Sequence, residues 1–161
     1  MGQFLVRRRA HRLVTLLVND TRRPVSGSVE AGWWRLDGTA RQTGTYQVRV
    51  RANGVIGVTS ESIPSSTKMD PHDWIYAAVL RDGEGDAYDQ SVWPMLPFRE
   101  LAVAGSKVTV RRRGGRTLEL SSPVFCHAVH IEDHGRELVS DNWIDLIPCV
   151  PPPVRSGNIE N

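Results

Sequence analysis

Residues 74–80 read Trp-Ile-Tyr-Ala-Ala-Val-Leu, an apolar run whose length is typical of one β-strand. The run lacks the polar alternation of a half-exposed strand, so we expect both of its faces to be covered. The acidic, glycine-rich stretch 82–86 then reverses the chain, and residues 91–93 begin a return strand. This part of the sequence predicts two neighbouring strands of a β-sheet protein.

The rest of the chain repeats this pattern of short strands and turns. Residues 46–51 alternate apolar and polar side chains with a period of two, which indicates a strand with one wet face. Gly114-Gly115, between two short β-type stretches, indicates a hairpin. A helical turn has its best support at residues 65–73. Further strands are predicted at residues 13–18, 26–36, 108–112, 117–120, 124–131 and 143–147.

Many short strands at spacings of about 8–12 residues favour a β-sandwich over a parallel sheet. Pro94 and Pro97 interrupt any ladder between them. We therefore predict an all-β fold of two small immunoglobulin-like β-sandwich modules, residues 1–95 and residues 96–161. The second module is short of strands for a closed sandwich, so it is either incomplete or leans on the first. Residues 149–153 predict a polyproline-type tail, which cannot pair inside a sheet.

The composition is that of a globular protein, with 40% hydrophobic and 24% charged residues among 161. The formal net charge of +2 predicts no strong attraction to a polyanion. No apolar run reaches the roughly 18 residues of a membrane span, and residues 13–18 are too short for a signal peptide. We expect no membrane partner, and a cytoplasmic location if Met1 is the true start. Cys126 and Cys149 are too few for a disulfide framework.

The most specific motif lies at residues 140–149, Ser-Asp-Asn-Trp-Ile-Asp-Leu-Ile-Pro-Cys. Asp141 and Asn142 predict a turn, because both side chains can bond their own backbone. Pro148 ends the strand that follows, because proline cannot donate to a ladder. Together with Asp145, these residues resemble the Asp-Asn-aromatic-x-Asp-Leu-x-Pro-Gly signature in the C-terminal domains of β-mannosidase-like enzymes of glycoside hydrolase family 2. The signature's last glycine is a cysteine here, and the proline-rich tail stands in place of the family's final strand.

Other stretches resemble the same enzymes in the expected order. The resemblance implies accessory immunoglobulin-like sandwiches packed beside a catalytic (β/α)₈ barrel, which supplies two catalytic glutamates. A barrel of about 250 residues does not fit in this chain, and the Asn-Glu dipeptide of the family's acid/base is absent from it. We expect no catalytic residue and no cofactor here, and a barrel of the same or a neighbouring polypeptide as partner. The similar stretches are residues 18–21, 24–27, 36–38, 78–83 and 125–132.

Tryptophans give the best residue-level hint of binding, because exposed aromatic rings can stack on the apolar face of a pyranose. Trp33 and Trp34 must point to opposite faces of their strand, which leaves one of them free to face outward. Core packing, or contact with a missing neighbour domain, explains the tryptophans equally well. The candidates for carbohydrate contact are Trp33, Trp34, Trp74, Trp93 and Trp143.

Two groups of potential metal ligands favour a structural explanation. The acids of residues 82–89 fit a solvated hairpin loop, and they lack the spacing and closing glutamate of an EF-hand. Cys126, His130, Glu132 and His134 share one parity along a strand. Residues i and i+4 of a strand lie about 13 Å apart, too far for one zinc ion unless the strand bends or a neighbouring strand contributes. We predict no metal site.

The sequence therefore predicts a non-catalytic accessory region of a β-mannosidase-like glycoside hydrolase, with an exposed apolar patch where the barrel docks. The alternative is a free-standing carbohydrate-binding β-sandwich module. Arginine-rich stretches at residues 7–9 and 111–116 suggest nucleic acid, but exposed arginines on edge strands also discourage aggregation. We predict no nucleic-acid partner.

Overall fold

The computed structural model consists almost entirely of antiparallel β-strands, which confirms the predicted all-β fold of immunoglobulin-like sandwich modules. The structure describes residues 2–105, 107–113, 117–132, 137–139, 142–151 and 153–158, without the side chains of 2–5, 137–139 and 153–158. The strands are β1 (Gly2–Arg9), β2 (Arg12–Asn19), β3 (Val25–Arg35), β4 (Arg41–Val50), β5 (Gly54–Ser62), β6 (Trp74–Arg81), β7 (Ala87–Pro94), β8 (Thr109–Arg112), β9 (Thr117–Ser121), β10 (Cys126–Val129), β11 (Glu137–Val139), β12 (Ile144–Leu146) and β13 (Pro153–Asn158).

Strands β1 to β7 form the first sandwich. Sheet I has the order β1-β2-β5 and sheet II the order β4-β3-β6-β7. Alternation along β2 sends Leu13, Thr15 and Leu17 inward, where they meet one face of sheet II. The rings of Trp33 and Tyr76 pack edge to face there, 5.3 Å apart. The buried residues between the two sheets, the inter-sheet core, are Leu13, Leu17, Val29, Ala31, Trp33, Val48, Val50, Met69, Tyr76, Ala78 and Leu80.

Strand β6 is buried on both faces, as its apolar run predicts. Residues 75–80 are all 1% exposed or less. Tyr76, Ala78 and Leu80 face the inter-sheet core, while the residues between them face a second core on the outer side of sheet II. This shared core joins the modules, and its buried residues are Trp34, Leu36, Ile75, Ala77, Val79, Ala87, Leu101, Phe125, Ile147 and Val150.

Strands β8 to β13 form the second, smaller sandwich. Sheet III has the order β11-β13-β9-β8, and sheet IV pairs β10 with β12. Among the described residues, the core between these sheets has only Leu120, Ile144 and Leu146 as buried members. Phe125 and Ile147 pack instead onto sheet II. The second module therefore packs on the first, as one of the two alternatives predicts.

The modules meet at the turn between β3 and β4. The Phe125 N–H donates to the Leu36 carbonyl at 2.8 Å. Gly38 has a φ of 74°, and a Cβ at this position would come 2.1 Å from the Pro123 carbonyl oxygen. Glycine therefore meets two requirements at once, a left-handed backbone and a close approach between the modules.

Several local predictions are wrong. The proline-rich tail does not take the place of a final strand: residues 149–151 lie in no strand, but residues 153–158 form β13, which pairs with both β9 and β11 inside sheet III. Pro153 is the first residue of that strand, where its missing N–H is tolerated. Residues 65–73 contain turns and no helix, while a 3₁₀ turn occurs at Phe98–Glu100. Strands β1, β5 and β11 had not been predicted.

Other predictions hold or stay open. The two arms around Gly114-Gly115 pair as β8 and β9, although the turn itself lies outside the described residues. The division near residue 95 stays a prediction, and β7 ends at Pro94. Within the described ranges, no helix has the length and apolar content that crossing a bilayer takes.

Candidate functional site

The adjacent tryptophans of β3 point to opposite faces of sheet II, as predicted. Trp33 is 4% exposed and lies in the inter-sheet core, whereas Trp34 is 2% exposed and lies in the shared core. Neither ring faces outward, which corrects the expectation for this pair, because the second module covers the outer face of the sheet. The Arg41 guanidinium lies 5.2 Å from the centre of the Trp34 ring and makes a cation–π contact.

The other three tryptophans differ in exposure. Trp74 and Trp93 are half-buried against the inter-sheet core. Trp143 is 66% exposed, and its ring centre lies 4.6 Å from that of His130. Its φ of 61° is an outlier for so bulky a residue. Carbohydrate contact by the five tryptophans stays a prediction, and Trp143 is the one among them with a largely open ring.

Asn142 holds the backbone in front of Trp143. Its Oδ1 accepts the N–H of Ile131 at 2.8 Å and the N–H of Trp143 at 3.0 Å, and its Nδ2 donates to the Ile131 carbonyl at 3.2 Å. One amide side chain thus replaces a rung of the ladder just beyond the β10–β12 pair. Asp141, the other half of the predicted turn, lies outside the described residues.

Asp145 stabilises an irregularity in β10. The register of the β10–β12 pair shifts between Cys126 and Val129, where Ala128 has a φ of 53°. The Asp145 carboxylate accepts the Ala128 N–H at 3.0 Å and lies 2.7 Å from His127 Nδ1. A strained backbone of this kind persists when its surroundings over-determine it. Asp145 supplies that restraint.

His127, Asp145 and Pro148 also make contacts at the junction between the modules. The His127 ring stacks on Phe98 of the 3₁₀ turn, with 3.6 Å between ring centres. The Gln90 amide of β7 donates to the Asp145 carbonyl. Pro148 lies beside Gly38 at the turn between β3 and β4. The signature residues Asn142, Asp145 and Pro148 thus bind the second module together and to the first.

The acidic loop after β6 bonds to itself and to the second module. Asp82 Oδ1 accepts the N–H groups of Glu84 and Asp86 at 2.9 and 3.0 Å. Asp86 forms an ion pair with Arg113 at 2.7 Å, and this carboxylate raises the pKa of Arg113. Carboxylate atoms of the three acids lie within 4.8 Å of one another. These partners fit the predicted hairpin loop, and the absence of a metal site stays a prediction.

The thiol and imidazole groups around β10 point to separate partners. Cys126 Sγ lies 3.3 Å from the Ser122 hydroxyl, while His127 faces Asp145 and His130 faces Trp143. His134 lies outside the described residues. In the part of the chain that the structure describes, these residues form no group close enough to share an ion.

A cleft of about 690 Å³ opens between the edge strands β4 and β5. Its lining includes the nearly buried Trp33 and Met69 and the charged Glu61 and Lys68. Burial raises the pKa of Glu61. The Glu61 carboxylate accepts no hydrogen bond and forms no ion pair with any residue that the structure describes. We call this space the Glu61 cleft.

Comparison with protein families matches residues 12–97 to the mannosidase Ig/CBM-like domain, more than half of the 161 residues. The chain belongs to the mannosidase Ig/CBM-like domain family. This confirms the predicted resemblance to the immunoglobulin-like domains of β-mannosidase-like enzymes. No curated protein sequence matches the chain.

Solved structures resemble this mannosidase Ig/CBM-like chain along nearly its whole length. The β-D-mannosidase of Dictyoglomus thermophilum is 18% identical with a TM-score of 0.81, over 99% of this chain and 20% of that one. The exo-chitosanase CsxA of Amycolatopsis orientalis is 15% identical with a TM-score of 0.61, over 95% of this chain and 23% of that one. These likenesses show the fold. The chain spans about a fifth of the length of the mannosidase.

Sequence reasoning missed the residue that gives this mannosidase Ig/CBM-like domain its polar cleft. Glu61 lies on β5, for which no strand was predicted because glycine and serine dilute the pattern of residues 54–62. The β-branched Val55, Ile56 and Val58 were the available signal for a strand. They would not have fixed the direction of Glu61, because the β2–β5 register shifts between Thr15 and Leu16.

Proposed function

We propose that this chain is a non-catalytic accessory region of a β-mannosidase-like hydrolase of glycoside hydrolase family 2. It packs beside a catalytic barrel that the same or a neighbouring polypeptide supplies. The observation that carries this proposal is membership of the mannosidase Ig/CBM-like domain family. The short share of the Dictyoglomus mannosidase that the chain spans, 20%, supports a role as one part of a larger enzyme.

Among the described residues, two clefts lack the pair of acids that glycoside hydrolysis takes, which supports a role without catalysis. Glycoside hydrolysis takes two carboxyl groups that flank the scissile bond. The Glu61 cleft contains one acid among its lining residues. The cleft at the module junction, about 410 Å³ beside Trp34 and Arg41, contains none. Purified chain should therefore leave chromogenic β-mannosides and β-galactosides intact.

Trp143 is the best candidate for contact with the barrel. Aromatic side chains are enriched at protein–protein interfaces relative to the rest of the surface. Trp143 is the most exposed of them in the described part of the chain, and the bonds of Asn142 fix its backbone. The predicted contiguous apolar patch stays a prediction. The exposed large apolar residues lie on separate segments, at Val55, Tyr88, Val103, Val110 and Trp143.

Two experiments test the accessory role. The DNA immediately upstream of this coding sequence should contain an open frame for a (β/α)₈ barrel. Co-expression of that barrel with the chain should give a complex that cleaves a chromogenic β-mannoside. Trp143→Ala should weaken co-purification, whereas the matched control Tyr88→Ala should not. A genome without any barrel gene of this family would end the proposal.

A carbohydrate-binding module is the second candidate, and the open ring of Trp143 is the observation that favours it. Titration with mannose- and glucose-containing oligosaccharides would then change the tryptophan fluorescence, and Trp143→Ala would abolish that change. If neither wild type nor variant responds to any glycan, this second candidate is excluded.

A further inference from the structure

The Glu61 cleft is a built space that the accessory role does not use. Strands β4 and β5 are edge strands of different sheets, so no ladder closes the gap between them. The loop at residues 64–69 closes one end of the gap. Its volume of about 690 Å³ falls within the roughly 300–1,000 Å³ of small-molecule sites. The first sandwich is therefore open on one side, at a size suited to a small ligand.

Glu61 occupies a position that its neighbours use for core packing. It pairs with Leu13 of β2, so the two side chains lie on the same face of sheet I. Leu13 is fully buried in the inter-sheet core, and Ile63 packs against that core two residues beyond Glu61. A carboxylate on this inward face loses hydration without gaining a partner among the described residues. Burial accordingly raises its pKa.

Lys68 lines the same cleft without pairing with Glu61. Neither an ion pair nor a side-chain hydrogen bond of Lys68 occurs with the residues described. The cleft therefore presents a strong acceptor and a strong donor at separate points. The amide of Gln42 and the hydroxyl of Ser62 add groups of both kinds, and Trp33 and Met69 contribute apolar atoms to the lining.

This distribution decides the class of ligand. The positive charge of Lys68 repels a simple cation, and the negative charge of Glu61 repels a simple anion. A neutral polyol can form hydrogen bonds with both side chains. A pyranose has hydroxyls that donate and accept at neighbouring positions, and C–H groups that suit the apolar atoms of the lining. We infer that the Glu61 cleft binds a saccharide, whose hydroxyls donate to Glu61 and accept from Lys68. This site is separate from Trp143 and does not depend on docking to a barrel.

The test is a titration of the purified chain, followed by NMR of its backbone amides. The probes are mannose, glucose, glucosamine and their β-linked disaccharides, with glycerol as a non-ring polyol and glycine as a zwitterion. We expect saturable shifts at residues 42–44, 61–62 and 64–69 with at least one saccharide, and none with glycerol or glycine. No saturable shift in these residues with any saccharide overturns the inference, and so does stronger binding of glycine.

Variants identify the groups that bind. Glu61→Gln and Lys68→Met should each weaken the saccharide by at least about ten-fold, as expected for the loss of a hydrogen bond to a charged group. Trp143→Ala and the exposed-loop control Glu84→Gln should bind like wild type. Equal affinity of Glu61→Gln and wild type refutes the role of the cleft. Shifts confined to the surroundings of Trp143 would assign the binding to that residue instead.

Separate control measurements test the folding of Glu61→Gln and its docking to the barrel. Glu61→Gln removes a charge that burial disfavours, so its melting temperature should not fall, and lost binding cannot then be attributed to unfolding. Glu61→Gln should also co-purify with the barrel as wild type does. Failure of saccharide binding and failure of the accessory role are therefore distinguishable.

Discussion

The two sandwiches of this chain are stabilised in different ways. The first has its own core between sheets I and II, with Trp33 and Tyr76 at its centre. The second has three buried residues of its own in the described part, and Phe125 and Ile147 pack on the outer face of sheet II. Small modules bury too little surface to be stable alone. A sheet whose outer face is otherwise uncovered can therefore stabilise a second module that is too small to be stable alone.

The two sandwiches also differ in how their strands are hydrogen-bonded. Strands β2 to β7 pair through long ladders, whereas β10 and β12 form a short pair with a shift in register. Side chains replace the missing ladder bonds, with Asn142 bound to Ile131 and Asp145 bound to Ala128. The motif that resembles the glycosidase signature therefore has a structural explanation in this chain.

The largest expected effect comes from the shared core. Phe125→Ala removes a fully buried ring, and we expect it to lower the free energy of unfolding of the second module by about 3–5 kcal/mol. Native-state hydrogen exchange should show faster exchange in β9 and β12 and little change in β3. Trp33→Ala is the matched variant for the other core and should destabilise both modules, because the second leans on the first. Equal loss of protection throughout the chain in Phe125→Ala would contradict this asymmetry.

Asp145→Ala tests the side-chain bonds. The Ala128 N–H loses its acceptor, and the free energy of unfolding should fall by about 1–3 kcal/mol in denaturant titrations. Asp145→Asn keeps one acceptor oxygen and should lose less. Glu84→Ala, an exposed acid in a turn, is the control and should have no measurable effect. If Asp145→Ala is as stable as wild type, the ladder bonds of sheet IV are sufficient without this side chain.

Gly38→Ala tests the junction itself. The added Cβ meets the Pro123 carbonyl in a left-handed backbone, so we expect a loss of more than about 1 kcal/mol. The loss should appear in hydrogen exchange of Phe125, whose N–H donates across this junction to Leu36. Gly83→Ala is a suitable control, because a Cβ there meets open space. Similar melting temperatures for the two variants would show that the modules tolerate a wider gap.

Glu61→Gln should have the smallest effect, and it should stabilise. Burial raises the folded-state pKa of Glu61 above the unfolded value, so the folded state keeps a proton that the unfolded state has released. Stability from this group is therefore greatest at low pH and falls as pH rises between those two pKa values. The variant should melt slightly above wild type at about pH 7. This difference in melting temperature should disappear at pH values below the ordinary glutamate pKa. A difference in melting temperature that increases on acidification would contradict this pH dependence.

The groups around Glu61 do not change the direction of this pH dependence. Lys68 lines the same cleft, and Tyr76 lies close enough for the Glu61 charge to raise the pKa of its hydroxyl. Burial is the larger cause of the raised Tyr76 pKa, so this hydroxyl keeps its proton through the acidic range. The difference between variant and wild type therefore reports Glu61.

The sequence was most informative where one physical signal dominates. The apolar run of β6 predicted burial on both faces, and the resemblance to β-mannosidase-like enzymes agrees with the family that matches residues 12–97. Prediction failed where tertiary pairing outweighs local preference. Residues 153–158 follow a proline-rich stretch and still pair on both sides, because β9 and β11 offer free edges. Neither the side-chain bonds of Asp145 nor the Glu61 cleft has a local signal, since each depends on strands far apart in sequence.

Sheet II has a packed layer on each of its faces, and this has a mechanical consequence. A sheet with one open face can change its twist and be compensated by solvent, whereas β3 and β6 would have to disturb two sets of tightly fitted side chains at the same time. Sheet II should therefore resist changes of twist more strongly than a sheet with one face open to solvent.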